Sequence, residues 1–410
     1  IPQGTGLTWA VELTADPVYE FGKVYEGSDL KKCHLAIDNS TESDYFGRMY
    51  IANRAGSGTG GIYVYNQDFT PVIENTLAGQ PKWQSMGRPA VGADGTVYIG
   101  DWGDGHGGVY VLDPKTLEAG TFFVGTQASS GLWTNADGVA MGSSTAAVGV
   151  YGEGASTVLY AMNEDVPATQ GEVPLYEHGV NVYQIGQADG TILKTWDKAP
   201  TMTFALQDNA AQMFVINANE HGAFFSSSRS KGNNASGARS LQFYNTKGER
   251  TYVALPEGAT ADLTGSLGGG CAVSVDLSEL AIVDGDGNIL VYSVAWTDDT
   301  PALTFVEKYT TEFAALGSLV FDYAGNLIAT GGANYNNSTA NHMVAYAVPT
   351  MDNTVVVPAK KALTVSGTGE ATSVDTIGSR YEGVQKVMID GKIFIIRDGK
   401  TYNVMGVQVK

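Results

Sequence analysis

Apolar and polar residues alternate with a period of two along most of the chain, and nowhere does the apolar spacing settle at about 3.6 for a helix of ordinary length. The alternating segments recur in a fixed order. An apolar strand is followed by an Asp or polar turn, a second β-rich segment, a Gly-rich gap, and a strand rich in Tyr and Val. The first half of this unit reads HLAIDNSTESDYFGRMYIANRAG from His34, PAVGADGTVYIGDWGDG from Pro89 and GVAMGSSTAAVGVYGEG from Gly138. It returns as TFALQDNAAQMFVINANEHG from Thr203, AVSVDLSELAIVDGDG from Ala272 and SLVFDYAGNLIATGGAN from Ser318. The second half, as in IYVYNQDFTPVIEN from Ile62 or LQFYNTKGERTYVAL from Leu241, reads as a strand, a turn of Asn, Asp, Gly or Pro, and another strand. Each unit therefore supplies four strands, A to D. The A strands are expected near residues 35–37, 90–92, 139–141, 204–206, 272–275 and 319–321. Asp38, Asp94, Asp208, Asp276 and Asp322 take the A-to-B turn position, and Gly142 takes it in the third copy.

Antiparallel four-stranded units repeating at roughly 45–70 residues fit the blades of a propeller, which hides strand edges by radial closure. The expectation is an all-β, six-bladed β-propeller over residues 1–358. The segment 7–21 is read as a closing piece joining the N-terminal strand to the last blade. A seven-bladed ring is the alternative, because VYQIGQADGTIL within 152–196 also reads as an A-to-B pair. Residues 359–385, rich in Thr, Ser and Gly, form a connector. In 386–410, Asp390-Gly391 and Asp398-Gly399 are two-residue hairpin signals, so this segment is expected to be a three-stranded meander.

Segments such as AVGADGTVYIGDW and LVFDYAGNLIATGG, with Asp94-Gly95 and Asp322 to Gly325 at the turn, resemble blades of the propeller families related to NHL, gluconolactonase and YncE-type proteins. The turn itself has a folding role, since Asp bonds backbone groups and Gly takes positive φ. In gluconolactonase-like propellers a channel-mouth metal is held by acidic and Asn side chains. The resemblance makes Glu153, Asn219, Glu220 and Asp284 the candidates here, without a residue-by-residue motif. At the other end of the chain, Gly391, Ile395, Gly399, Tyr402, Asn403, Gly406 and Val409 resemble the C-terminal tails of exported Bacteroidetes proteins. That resemblance implies a sorting-type tail and a periplasmic, cell-surface or secreted location. A structural cap is the other reading of the same segment.

Composition narrows the function classes. Of 410 residues, 43% are apolar and 10% aromatic, enough to fill a large core, so the chain is not disordered. With 52 Gly and only 16% charged residues it is turn-rich. A net charge of −19 with scattered basic residues excludes a nucleic-acid partner. No stretch has the length of a transmembrane helix. Ile1-Pro2-Gln3-Gly4 has neither a basic nor an apolar leader region, as expected if an export signal has been removed. Cys33 and Cys271 occupy equivalent positions in different blades, too far apart for a bridge, and read as buried thiols.

The familiar catalytic signatures (nucleophile elbow, zinc helix, phosphate loop, paired cysteines) are absent, and the catalytic residues are left unassigned. Asp284-Gly285-Asp286-Gly287-Asn288 starts like a calcium loop but lacks the later Glu, and reads as a hairpin turn. Trp83, Trp102, Trp133 and Tyr335 suit either inter-blade packing or a sugar or peptide surface. In an up-and-down blade the B-to-C and D-to-A connections share one end. The long insertions 152–179, 219–240 and 331–341, with His106, His178, His221 and His342, are assigned to B-to-C connections there, and His34 just ahead of an A strand. The expected contacts with a small-molecule, glycan or protein ligand are Arg54, Asp101, Trp102, His106, Tyr151, Glu153, His221 and Asp284. The favoured function is an exported binding or scaffold propeller of the cell envelope, with glycan one of the ligand classes and no cofactor. A metal-assisted hydrolase or lactonase at the channel mouth, using a divalent metal, is the alternative.

Overall fold

The computed structural model describes residues 8–9, 19–20, 34–54, 60–66, 71–73, 88–101, 108–123, 126–127, 133–134, 140–142, 144–164, 178–206, 213–227, 241–254, 257–258, 270–283, 288–310, 315–332, 342–348, 350–351, 384–389, 392–397 and 400–403. The chain divides into two compact units, Ile1–Lys360 and Lys361–Lys410.

The first unit begins with two short strands, β1 (Thr8–Trp9) and β2 (Tyr19–Glu20). Blade 1 follows as β3 (His34–Ile37), β4 (Met49–Arg54), β5 (Gly60–Tyr65) and β6 (Pro71–Ile73). Blade 2 is β7 (Arg88–Val91), β8 (Val97–Asp101), β9 (Gly108–Leu112) and β10 (Ala119–Phe123). A small sheet of β11 (Thr126–Gln127), β12 (Trp133–Thr134) and β13 (Ala140–Gly142) intervenes. Blade 3 is β14 (Ser144–Tyr151), β15 (Val158–Glu164), β16 (His178–Gln184) and β17 (Met202–Ala205). Blade 4 is β18 (Met213–Asn219), β19 (Gly222–Ser227), β20 (Leu241–Asn245) and β21 (Arg250–Ala254). Blade 5 is β22 (Cys271–Val273), β23 (Glu279–Val283), β24 (Ile289–Thr297) and β25 (Thr300–Tyr309). Blade 6 is β26 (Ala315–Phe321), β27 (Asn326–Gly332) and β28 (His342–Ala347), completed by β1 and β2. The ring is thus six-bladed, and the N-terminal strands close it as expected: Thr8 pairs with Ala347 and Tyr19 with Met343, all antiparallel.

Many strands are apolar on both faces because each blade is packed between two others. Each strand gives alternate side chains to the blade before it and the blade after it. In β23, Leu280 and Ile282 pack with Phe224 and Phe243 of blade 4, while Ala281 and Val283 pack with Leu327 and Tyr346 of blade 6. In β24, Leu290 and Tyr292 join the first cluster and Ile289 and Val291 the second. Tyr183 and Phe122 meet edge to face at 5.8 Å between blades 2 and 3. Each large side chain buried this way is worth roughly 2–3 kcal/mol.

Asp side chains hold the inner turns. Asp94 accepts from the Thr96 N–H and hydroxyl, Asp276 from Ser274 and Ser278, and Asp322 from the N–H and side chain of Asn326. The turns also join the blades, because the A-to-B turn of one blade bonds the C-to-D connection of the next. Arg48 donates to the Pro114 carbonyl at 2.9 Å, Lys194 pairs with Asp94 at 3.1 Å, and His221 meets Asp299 at 3.1 Å.

Two blades depart from the sequence reading. The A strand expected at 139–141 is instead part of the small sheet, and the A strand of blade 3 is the single eight-residue β14. The segment expected as the A strand at 204–206 is the D strand of blade 3, where Phe204 pairs with Val180. The A strand of blade 4 is β18. Both slips follow from reading Gly142 as the A-to-B turn, when β14 runs on to a tight turn at Gly152, whose φ is 97°. Asn219 takes the turn role of blade 4, its Oδ1 accepting the His221 N–H. Asp208 lies outside the described residues. VYQIGQADGTIL contributes β16 and then a single Gly186–Ile192 bridge within a C-to-D connection, not a further blade.

The second unit is a three-stranded antiparallel meander, β29 (Val384–Ile389), β30 (Lys392–Arg397) and β31 (Lys400–Asn403). Its registers, Ile389 with Lys392 and Arg397 with Lys400, leave two residues in each connection, as the two Asp-Gly pairs predict. Among the described residues no helix is long and apolar enough to cross a membrane.

Candidate functional site

The six A strands enclose a central cavity of about 590 Å³. Along the longer A strands the described lining residues fall in the second half, Val148–Tyr151 in β14 and Ser318–Phe321 in β26, whereas Thr145, Ala147 and Leu316 are not among them. The cavity therefore lies toward the end where the chain turns from A to B. Its rim is formed by Asn39 and Ser40 of blade 1, Tyr151, Glu153 and Ser156 of blade 3, Asn219 of blade 4, and Val275 and Leu277 of blade 5.

Local chemistry fixes these side chains. Around Glu153 the chain makes one 3-10 turn, with the Ser156 hydroxyl accepting the Glu153 N–H at 3.0 Å and donating to its carbonyl at 2.8 Å. Tyr151 ends β14 and is 40% exposed. Burial raises the Tyr151 phenol above its ordinary range, and the negative charges of Glu220 and Glu153 raise it further. Asn39 donates to the Phe321 carbonyl at 2.8 Å, tying blade 1 to blade 6 at the rim. In the wall, Asn217 donates to the Cys271 carbonyl at 2.6 Å and to its sulfur at 3.1 Å. Burial pushes the free Cys271 thiol up to about 11, so it is protonated and unreactive at neutral pH. Cys33 lies outside the described residues.

Of the expected contact residues, the structure describes Arg54, Asp101, Tyr151, Glu153 and His221, and these five fall at both ends of the propeller. Tyr151, Glu153 and His221 are expected at the B-to-C end, the latter two within B-to-C connections, but Tyr151 ends an A strand and the other two lie in A-to-B turns, so all three are at the opposite end from the one expected. The cause is the slip of one strand in blades 3 and 4. Arg54 and Asp101 close the B strands β4 and β8, at the expected end. Trp102, His106 and Asp284 lie outside the described residues, as do Trp83 and Tyr335. His178 and His342 begin C strands at the B-to-C end, and His34 begins β3.

His221 is a packing residue. Its ring stacks on Trp296 at 4.2 Å and 20°, its Nδ1 is 3.1 Å from Asp299, and its Nε2 is 3.6 Å from Glu220. The cluster joins blades 4 and 5 outside the cavity lining. Of the four metal candidates, Glu153, Asn219 and Glu220 share the A-to-B end of neighbouring blades. Asn219 Oδ1, however, already accepts the His221 N–H at 2.9 Å, and among the described residues no three His, Cys, Asp or Glu side chains are grouped to hold a metal. The described donor set does not form a metal cage, and no metal-dependent step is derived from it. Sequence reasoning missed Asn39 and Ser40 as rim residues and reached Asn219 only as a metal candidate through the resemblance; the signal available was the Asx position after each A strand.

Six up-and-down β-sheets around a channel define the class of this protein as a β-propeller. No protein-family model and no curated protein matches the chain. Solved structures similar in fold include the WD40 repeats of RRP9, at 10% identity over 83% of this chain and 100% of that one with a TM-score of 0.47. A gluconolactonase of Xanthomonas campestris is similar at 12% identity over 80% and 89%, with a TM-score of 0.43. A Thermus thermophilus protein described as an oxidoreductase (glucose dehydrogenase) is similar at 13% identity over 80% and 99%, with a TM-score of 0.46. At these values the likeness concerns the fold alone, and the number of blades rests on the sheet order itself.

Proposed function

We propose that the chain is an exported binding or scaffold module that takes a small polar ligand, glycans foremost, at the A-to-B mouth of its central cavity. The observation supporting this is the exposed Tyr151 ring on the rim of a cavity of about 590 Å³, beside carboxylate, amide and hydroxyl groups. A ring offers an apolar face for stacking, and its polar neighbours bind hydroxyls. A glycan-array screen of wild type and Tyr151→Ala tests it. The expected result is a signal lost in the variant with the melting temperature unchanged; a signal indifferent to Tyr151 overturns the location. Export rests on the resemblance of the tail. Deleting residues 386–410 should leave a folded propeller retained in the periplasm, and unchanged surface delivery overturns the sorting role.

A further inference from the structure

Charge at this end of the propeller is segregated by radius. Among the described residues that line the cavity, Glu153 is the one carboxylate and there is no Lys or Arg. The lysines of this end, Lys115, Lys194, Lys198 and Lys247, lie in C-to-D connections, which stand further out than the A strands, and Arg48, in the A-to-B turn of blade 1, is outside the cavity lining and donates to the Pro114 carbonyl of such a connection. The inner rim is thus negative and carries an exposed aromatic ring. Glu220, 61% exposed, follows Asn219 directly in the next blade, and its charge and that of Glu153 both act on the Tyr151 hydroxyl.

An independent observation comes from Asn219. It lines the cavity at 3% exposure, its Oδ1 is engaged by the His221 N–H, and its Nδ2 has no hydrogen-bond partner. On the facing blade 1, Asn39 Oδ1 and Ser40 Oγ also lack partners. Unmade bonds of buried polar groups are unfavourable, so a ligand that supplies an acceptor to Asn219 and a donor to Asn39 gains what the free protein forgoes.

We propose that the ligand of this mouth is cationic, with an ammonium or guanidinium group seated against the Tyr151 ring, countered by Glu153 and Glu220, and a hydroxyl or carbonyl on the same molecule accepting from Asn219. A cation over a tyrosine face with carboxylates beside it is favoured both by the ring quadrupole and by charge, whereas an anion there is repelled by Glu153 and Glu220. Amino sugars and basic amino acids carry both features. This inference rests on the mouth being the binding site.

The test is calorimetric titration of the full chain with two matched pairs, glucosamine against glucose and arginine against citrulline. In at least one pair the charged member is expected to bind about tenfold tighter, with the difference shrinking as salt is raised. The Glu153→Gln, Glu220→Gln double variant, with both positions exposed, should remove the preference without changing the melting temperature. Equal binding of charged and neutral members, lost in Tyr151→Ala, overturns the cationic inference and leaves the mouth reading standing. Binding that neither variant alters overturns both, and absence of binding by all four probes overturns the inference.

Discussion

Asp38 shows how one buried carboxyl organises a turn at a cost. It is 0% exposed, and burial pushes it up to about 6, opposed by the Ser43 hydroxyl at 2.5 Å and the Ser40 N–H at 3.0 Å. In the unfolded chain the group titrates near its ordinary value of 3.8. Between those values the folded protein keeps a proton that the unfolded chain has released. Stability from this residue therefore falls as pH rises through that window, and the cost is complete above it. Asp38→Asn, which keeps an acceptor for Ser40, should gain on wild type by up to about 3 kcal/mol between pH 4 and 7.5, read by urea unfolding across pH. A gap that stays constant with pH would sink this account. The space around the turn is equally specified: a Cβ on Gly95 of blade 2, at φ 79°, would lie 2.8 Å from the Ser43 hydroxyl. The Asp turns were legible in the sequence because Asx chemistry is local. Asn219 was reached only as a metal candidate through the resemblance, because its turn role depends on knowing where β18 ends.

At the scale of the element, blades 2, 5 and 6 use one turn in which the fourth residue takes positive φ. That residue is Gly95, Gly325 and, in blade 5, Leu277 at φ 60°. A side chain in this conformation costs roughly 1–2 kcal/mol. Leu277→Gly should accordingly raise stability by about 1 kcal/mol, measured by denaturant midpoint, and a lower midpoint would show that its cavity-rim contacts outweigh the strain. His221→Ala removes a stacked ring and the Asp299 contact between two blades, and should cost about 1–2 kcal/mol in thermal unfolding while leaving a Tyr151-dependent ligand bound. The strands of blades 1, 2, 5 and 6 were readable because an Asp turn punctuates them. Blade 3 has a Gly-Glu-Gly turn instead, and its D strand, MTFA, presents a buried Phe204 like an A strand. The slip carried Tyr151, Glu153 and His221 to the wrong end of the molecule.

For the whole molecule, the ring and its closure could be read from repeat order, but the small sheet β11–β13 could not, since strands of two or three residues leave no periodic signal. The rim could not be read either, because it is assembled from blades 1, 3, 4 and 5, far apart in sequence. Closure by β1 and β2 on β28 has a further consequence for synthesis. The residues that pair with the first strands are translated near the end of the propeller, so the nascent propeller stays an unclosed arc until its last strand is made. Contacts of such sequence separation form slowly, and until β28 emerges β1, β2 and β27 lack their partner and the end blades of the arc leave apolar faces uncovered, the exposure against which a cell deploys chaperones.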